Sequence, residues 1–184
     1  MKYKELLEED FFRYGNNLDS FTKKYLILLR KTQNCENKFL KQVYHWLLKK
    51  HRLKKGIEID SNVKIGPGLF IAHSYNITVN DSVIIGSNCN IHKGVLIGQE
   101  NRGKRKGTPV IGNSVWIGIN ACIVGAVTIG DDVLIAPNAY VNCDVPSHSV
   151  VIGNPCKIIY RENATEGYIN NRVLSGDDKN DYYS

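Results

Sequence analysis

Long apolar runs are missing from this 184-residue chain. The densest cluster, Tyr25-Leu26-Ile27-Leu28-Leu29, is far shorter than the roughly 20 residues that cross a bilayer. The first ten residues, Met1 to Asp10, hold no apolar leader, so the expectation is a soluble, cytoplasmic protein. Cysteine is scarce and unpatterned: Cys35, Cys89, Cys122, Cys143 and Cys156 make an odd count of five with no Cys-x-x-Cys pair. That excludes a disulfide framework and a cysteine zinc site, and fits a reducing compartment. No closely spaced histidine pair occurs among the five histidines, which speaks against a zinc enzyme built on three of them. No metal is expected. With 42% hydrophobic and 23% charged residues the composition is that of a folded globular chain.

Acidic residues are outnumbered, 18 against 24 Lys and Arg, for a formal net charge of +6. The excess is concentrated in Lys49-Lys50-His51-Arg52-Leu53-Lys54-Lys55 and in Arg102, Lys104, Arg105 and Lys106. Such clusters suit a solvated face or an anionic partner, an acidic lipid or a phosphorylated co-substrate. A peripheral contact of segment 49–55 with an anionic membrane surface is compatible with this, and no nucleic-acid partner is expected.

Residues 1–55 read as a small helical segment. Phe39, Leu40, Val43, Tyr44, Trp46, Leu47 and Leu48 recur at three- and four-residue spacing, with Lys41, Gln42, His45, Lys49 and Lys50 between them. Leu18-Asp19-Ser20 is a helix start, and Gly15-Asn16-Asn17 reads as a turn.

From Ile59 the period becomes six. Ile59, Ile65, Ile71 and Ile77 open the series; the phase slips by two to Val79 and continues at Ile85, Ile91 and Ile97. It resumes at Ile111, Ile117, Ile123, Ile129, Ile135 and Val141. Four residues after most of these comes a second small or apolar residue, such as Val63, Val83, Val115 or Val127. A helix of period 3.6 cannot hold this pattern on one face, and hairpin strands alternate every two residues. The pattern predicts an all-β main domain over 56–158: a parallel β-helix with three short strands per turn of about 18 residues. One aliphatic residue per strand points inward, and small or polar residues serve the corners. Residues 99–108 have no place in the register and are expected to leave as an exposed loop. Residues 159–184, polar and rich in Asn and Asp, read as a C-terminal tail, partly disordered.

Several stretches resemble the serine acetyltransferase family, and more closely its short relatives in bacterial polysaccharide gene clusters. They are Gly56-Ile57-Glu58-Ile59, Ile65-Gly66-Pro67-Gly68 leading to His73, Gly94-Val95-Leu96-Ile97-Gly98, Val145-Pro146, and Gly153-Asn154-Pro155-Cys156-Lys157. The resemblance implies a left-handed β-helix of hexapeptide repeats and a homotrimer or dimer of trimers. It also implies acetyl-CoA as co-substrate in a groove between neighbouring β-helices. It places the catalytic base on His73 and its acidic partner on Glu58. For the acetyl-CoA it points to Gly118 and Ala136 beside the pantetheine and Lys157 near the nucleotide.

The chemistry is consistent with that assignment. An alcohol is a poor nucleophile at neutral pH, and a neutral imidazole can take its proton as it attacks a thioester. A carboxylate on the other ring nitrogen fixes the tautomer. His92, after Ile91, is expected to be structural. Three positions that read the amino acid in serine acetyltransferases, an Asp before the catalytic His and an Arg-His pair in the loop, fall on Ala72, Gly107 and Thr108. Asn101-Arg102-Gly103-Lys104-Arg105-Lys106-Gly107 resembles the loop of the polysaccharide-cluster relatives. The expected acceptor is therefore a sugar hydroxyl of a surface polysaccharide or its precursor. The alternative is serine O-acetylation for cysteine biosynthesis.

Overall fold

The computed structural model describes residues 3–173. Three helices precede the repeats: α1 (Tyr3–Phe12), α2 (Ser20–Asn34) and α3 (Lys38–Arg52). Asp19 caps α2, its Oδ1 accepting from the N–H groups of Phe21 and Thr22 at 3.1 and 3.2 Å; Asn37 caps α3 through Leu40 N–H at 3.0 Å.

Five coils follow. The first holds β1 (Ile57–Ile59), β2 (Lys64–Ile65) and β3 (Phe70–Ala72), the second β4 (Ile77–Val79), β5 (Ile84–Ile85) and β6 (Asn90–His92). The third holds β7 (Leu96–Gly98), β8 (Val110–Ile111) and β9 (Trp116–Ile117), the fourth β10 (Cys122–Val124), β11 (Thr128–Ile129) and β12 (Val133–Ile135). The fifth carries β13 (Tyr140–Val141) and β14 (Ser149–Ile152), and β15 (Lys157–Tyr160) folds back on it. The strands stack into three sheets, β1-β4-β7-β10-β13, β2-β5-β8-β11 and β3-β6-β9-β12-β14-β15, as in a left-handed β-helix.

The period-six residues become three interior stacks. Ile59, Val79, Ile97, Ile123 and Val141 are in register in the first sheet. Ile65, Ile85, Ile111 and Ile129 align in the second, with Val145 bridged above. Ile71, Ile91, Ile117, Ile135 and Val151 align in the third. All but Ile65 are buried. At the corner from the third sheet to the first, Gly56, Asn76, Gly94, Asn120 and Asn138 all adopt positive φ, between 50° and 74°. Asn tolerates this region better than most residues. Gly94 is obligatory, because a Cβ there would lie 1.9 Å from Asn120 Oδ1.

The first coil has no coil beneath it, so its outward backbone groups need other partners. α1, the turn after it and α2 supply them with side chains. Tyr25 Oη donates to Ile59 O (3.0 Å), Gln33 Nε2 to Val63 O (2.9 Å), and Arg30 to Ile65 O and Gly66 O (2.8 and 2.7 Å). Asp10 Oδ1 accepts from Leu69 N–H (2.9 Å) and Tyr14 Oη from Ile71 N–H (2.6 Å). The helices thus act as a hydrogen-bonding lid on the end of the solenoid.

The expected loose tail is ordered as far as Val173; its remainder lies outside the described residues. β15 pairs antiparallel with β14, and Asp132 pins the next turn, accepting from Ala164 N–H, Thr165 N–H and the Thr165 hydroxyl. Burial works to raise the Asp132 carboxyl, but hydrogen bonds from Thr165, His148 and Ala164 hold it below the usual carboxylate value. Its folded pKa is below its unfolded one, so the stabilisation is present above the unfolded value of roughly 3.9 and fades as pH falls through the folded value. We expect residues 161–173 to lose amide protection below about pH 4 before the coils do, and Asp132→Asn to loosen the same segment at neutral pH. Hydrogen exchange resolved by segment checks both; full protection in the variant would contradict the role.

Candidate active site

His73 sits on an unusual corner. From β3 to β4 the chain runs Ile71 to Ile77. The equivalent corners run Ile91 to Val95, Ile117 to Ala121 and Ile135 to Ala139, two residues shorter. This is the physical origin of the phase slip. The extra length carries His73 into positive φ (50°) and leaves its side chain exposed. Such backbone in a non-glycine residue is worth inspection for function. Ser74, next to it, is buried and turned to the cap: its Oγ is 2.9 Å from Thr22 Oγ1 and accepts from Lys55 Nζ at 3.4 Å.

His73, Ser74 and Tyr75 open on a cavity of about 680 Å³. Its other walls include Tyr14, Asn17 and Asp19 from the N-terminal segment, Lys55 at the entry to β1, and Lys93 one coil on. Lys55 Nζ is 3.8 Å from Asp19 Oδ1 and 4.3 Å from the centre of the Phe21 ring. Burial works to raise the Asp19 carboxyl, yet hydrogen bonds from the Thr22 hydroxyl and N–H and the charge of Lys55 hold it low. The lining of the pocket thus offers an imidazole, a cation and an anion. Asp19 and Lys55 were not flagged as site residues from sequence; the cap motif at Asp19 was legible, its meeting with His73 across more than fifty residues was not.

Glu58 lies on the outer face of β1, exposed, in register with Thr78. It is not among the residues that line the His73 cavity. Among the described residues no hydrogen bond joins the His73 ring to Glu58. His92 is in register with Ala72 and close to His73. Burial holds its imidazole below the ordinary value; His73 adds to this, and the hydrogen bond to the Ile117 carbonyl opposes it. Since a carbonyl only accepts, His92 Nδ1, 2.8 Å from Ile117 O, carries the proton. The ring stacks on Trp116 at 4.4 Å, which in turn meets Tyr168 edge-on at 5.2 Å.

The remaining candidates fall in one row. Ala72 is beside His92, and the register continues through Gly118 and Ala136 to Ile152 and its partner Lys157. With strands about 4.8 Å apart, the row runs along the edge of the third sheet from the His73 corner to β15. Lys157 is exposed at its far end and Ala136 half-buried within it. Gly118 is accounted for by stacking: a Cβ there would lie 2.7 Å from Pro137 N and 2.8 Å from Ile135 O. Gly118→Ala should therefore cost about 1–3 kcal/mol by overpacking, seen as a lower urea midpoint with no ligand present. An unchanged midpoint would mean that the row yields there. Loop 99–108 is closed by Glu100 and Gly107, paired through 2.9 Å hydrogen bonds. It leaves between β7 and β8, at a different corner from His73.

Among the described residues no group of three or more His, Cys, Asp or Glu is placed to hold a metal ion, and no helix is long and apolar enough to cross a membrane.

Residues 108–143 match the bacterial transferase hexapeptide (six repeats) model. Serine acetyltransferase of Helicobacter pylori (strain ATCC 700392 / 26695) is 39% identical over 111 residues, 60% of this chain and 65% of that protein. Over its repeat region the chain is similar to the serine acetyltransferases. Serine acetyltransferase of Synechococcus elongatus is 33% identical over 132 residues, 65% of this chain and 54% of that relative. The chain spans just under two thirds of the Helicobacter relative's length. In structure it resembles serine acetyltransferase of Neisseria gonorrhoeae, with a TM-score of 0.71 and 23% identity, covering 86% of this chain and 68% of that one. The enzyme of Brucella abortus strain S19 gives a TM-score of 0.71 at 23% identity, over 89% and 71%. At such identities the likeness concerns the fold.

Proposed function

We propose that this chain is an acetyl-CoA-dependent O-acetyltransferase whose acceptor is the hydroxyl of L-serine. The observation that carries the reading is the elongated corner that presents His73 to a cavity also lined by Lys55 and Asp19. His73 takes the proton of the serine hydroxyl as its oxygen attacks the thioester carbonyl carbon. The C–S bond breaks, and the imidazolium returns the proton to the departing thiolate of CoA. Lys55 meets the serine carboxylate and Asp19 its ammonium, in place of the charges absent at Ala72, Gly107 and Thr108. Glu58 is the carboxylate that family resemblance assigns to orient His73. The row from His92 through Ala136 to Lys157 suits an extended pantetheine, with the cationic end at the phosphates. In a homotrimer that row would face the neighbouring chain, whose basic loop can then complete the groove.

The acceptor expected from sequence was a sugar. The relatives found are serine acetyltransferases, and they favour serine. The uncharged Ala72, Gly107 and Thr108 and the character of loop 101–107 are the observations on the side of a saccharide. CoA-thiol release from acetyl-CoA with L-serine as sole acceptor separates the two. Rapid serine-dependent release is expected, and Lys55→Met should raise the KM for serine about tenfold, roughly one charge-assisted hydrogen bond, with kcat little changed. Release with a saccharide panel and none with serine would establish the sugar reading.

A further inference from the structure

We propose that α3 and the basic groove beside it dock this protein on an anionic lipid surface. From Lys38 to Lys55 the chain holds seven Lys and Arg residues and no Asp or Glu. The helix is pinned from one side, where Leu48 and His51 are buried and His51 Nε2 lies 2.9 Å from Phe21 O. Its outer side carries an apolar stripe at helical spacing: Phe39, Val43, Trp46 and, just past its end, Leu53. Phe39 is 72% exposed, Trp46 53% and Leu53 62%. Lys50 bends over Trp46, its Nζ 3.9 Å from the ring centre. A soluble surface gains nothing by presenting such residues in line.

A second feature lies alongside. Between α2 and α3 a groove of about 270 Å³ has Leu28 and Leu47 with Lys24, Lys50, His51 and Lys54 around them. An apolar base with several cations suits a phosphate that arrives attached to an acyl chain. Apolar stripe, interfacial aromatic and flanking lysines together are the composition of a helix that lies in the plane of a membrane interface. Charge decides between occupants. A second copy would bring seven cations against seven cations, and a nucleic acid would leave the apolar stripe unused. An anionic bilayer answers both.

The test uses the full chain with extruded vesicles of phosphatidylcholine alone and of phosphatidylcholine with phosphatidylglycerol. We expect co-sedimentation with the anionic vesicles only, weakening as salt is raised, with a blue shift of Trp46 emission against a Trp116→Phe background. Phe39→Ser combined with Val43→Ser, and separately Lys49→Glu combined with Lys50→Glu, should each lower the bound fraction at least tenfold. All four residues are exposed, so far-UV circular dichroism should be unchanged. Quenching of Trp46 by brominated anionic lipid needs no stripe or charge variant and stands even if those fail to fold. Equal binding to both vesicle types, no binding, or retention of binding without the apolar pair overturns the proposal. So does a loss of self-association in the stripe variant with vesicle binding unaffected, which would assign the face to a second copy.

Discussion

His73→Ala should lower the rate of acetyl transfer by about two to four orders of magnitude, the usual worth of a general base, and lower the melting temperature by no more than a few degrees. The side chain is exposed and forms no hydrogen bond among the described residues, so removing it leaves no buried group unpaired. What alanine does alter is the backbone, since residue 73 holds φ at 50°. A left-handed conformation costs an alanine roughly 1–2 kcal/mol. His73→Asn is the necessary companion: asparagine tolerates that conformation and has no basic nitrogen. Both variants should be equally slow at saturating acetyl-CoA and acceptor. If Asn restored activity, the corner's shape would matter and the imidazole would not. If neither variant lost rate, another group would be the base.

Arg30→Ala should destabilise the chain by about 3–5 kcal/mol, the cost of leaving one member of a buried ion pair alone. Arg30 and Asp10 are nearly inaccessible, at 1% and 0% exposure, and form a two-point contact of 2.7 and 2.9 Å. The same guanidinium satisfies the carbonyls of Ile65 and Gly66. Alanine would strand the Asp10 charge and both carbonyls together. Lysine keeps the charge and loses the planar fork, so Arg30→Lys should recover little. Combining Arg30→Met with Asp10→Leu removes the stranded charge and should recover part of the loss, leaving the two carbonyls and the Leu69 N–H unpaired. Urea midpoints of the four proteins order these contributions. A shift under about 1 kcal/mol in Arg30→Ala, the size of a surface pair, would show that the lid does not depend on this contact.

The solenoid was legible because its rule is local. Each aliphatic residue at a hexad start meets its equivalent one coil on, so the period alone announces the stacks from Ile59 to Val141. The slip after Ile77 was legible too, as an interruption, and the structure shows it as the elongated His73 corner. The lid was not. Its contacts join Asp10 with Leu69 and Arg30 with Ile65 and Gly66, and it buries polar residues of α2, Thr22, Arg30 and Thr32, that no apolar spacing marks. The cavity shares that difficulty: Tyr14, Asn17 and Asp19 reach His73 only because α2 crosses beneath the first coil. α3 was legible as an apolar-patterned helix, and the structure turns Phe39 and Trp46 of that pattern outward. The ordered tail depends on Asp132, a corner residue whose second task, holding Ala164 and Thr165, no repeat pattern encodes.

A stack of parallel coils is in principle an endless polymer, because each terminal coil offers the next molecule the same backbone template that it would offer its own continuation. Here both ends are closed to that. At one, the polar groups of Ile59, Val63, Ile65, Gly66, Leu69 and Ile71 are taken by side chains, which have no strand direction to propagate. At the other, β15 runs against β14 and so breaks the parallel order at the edge of the third sheet. Removing α1 and α2 would do more than lower stability: it would leave one end of the stack as an open template, while β15 still closes the third sheet at the other.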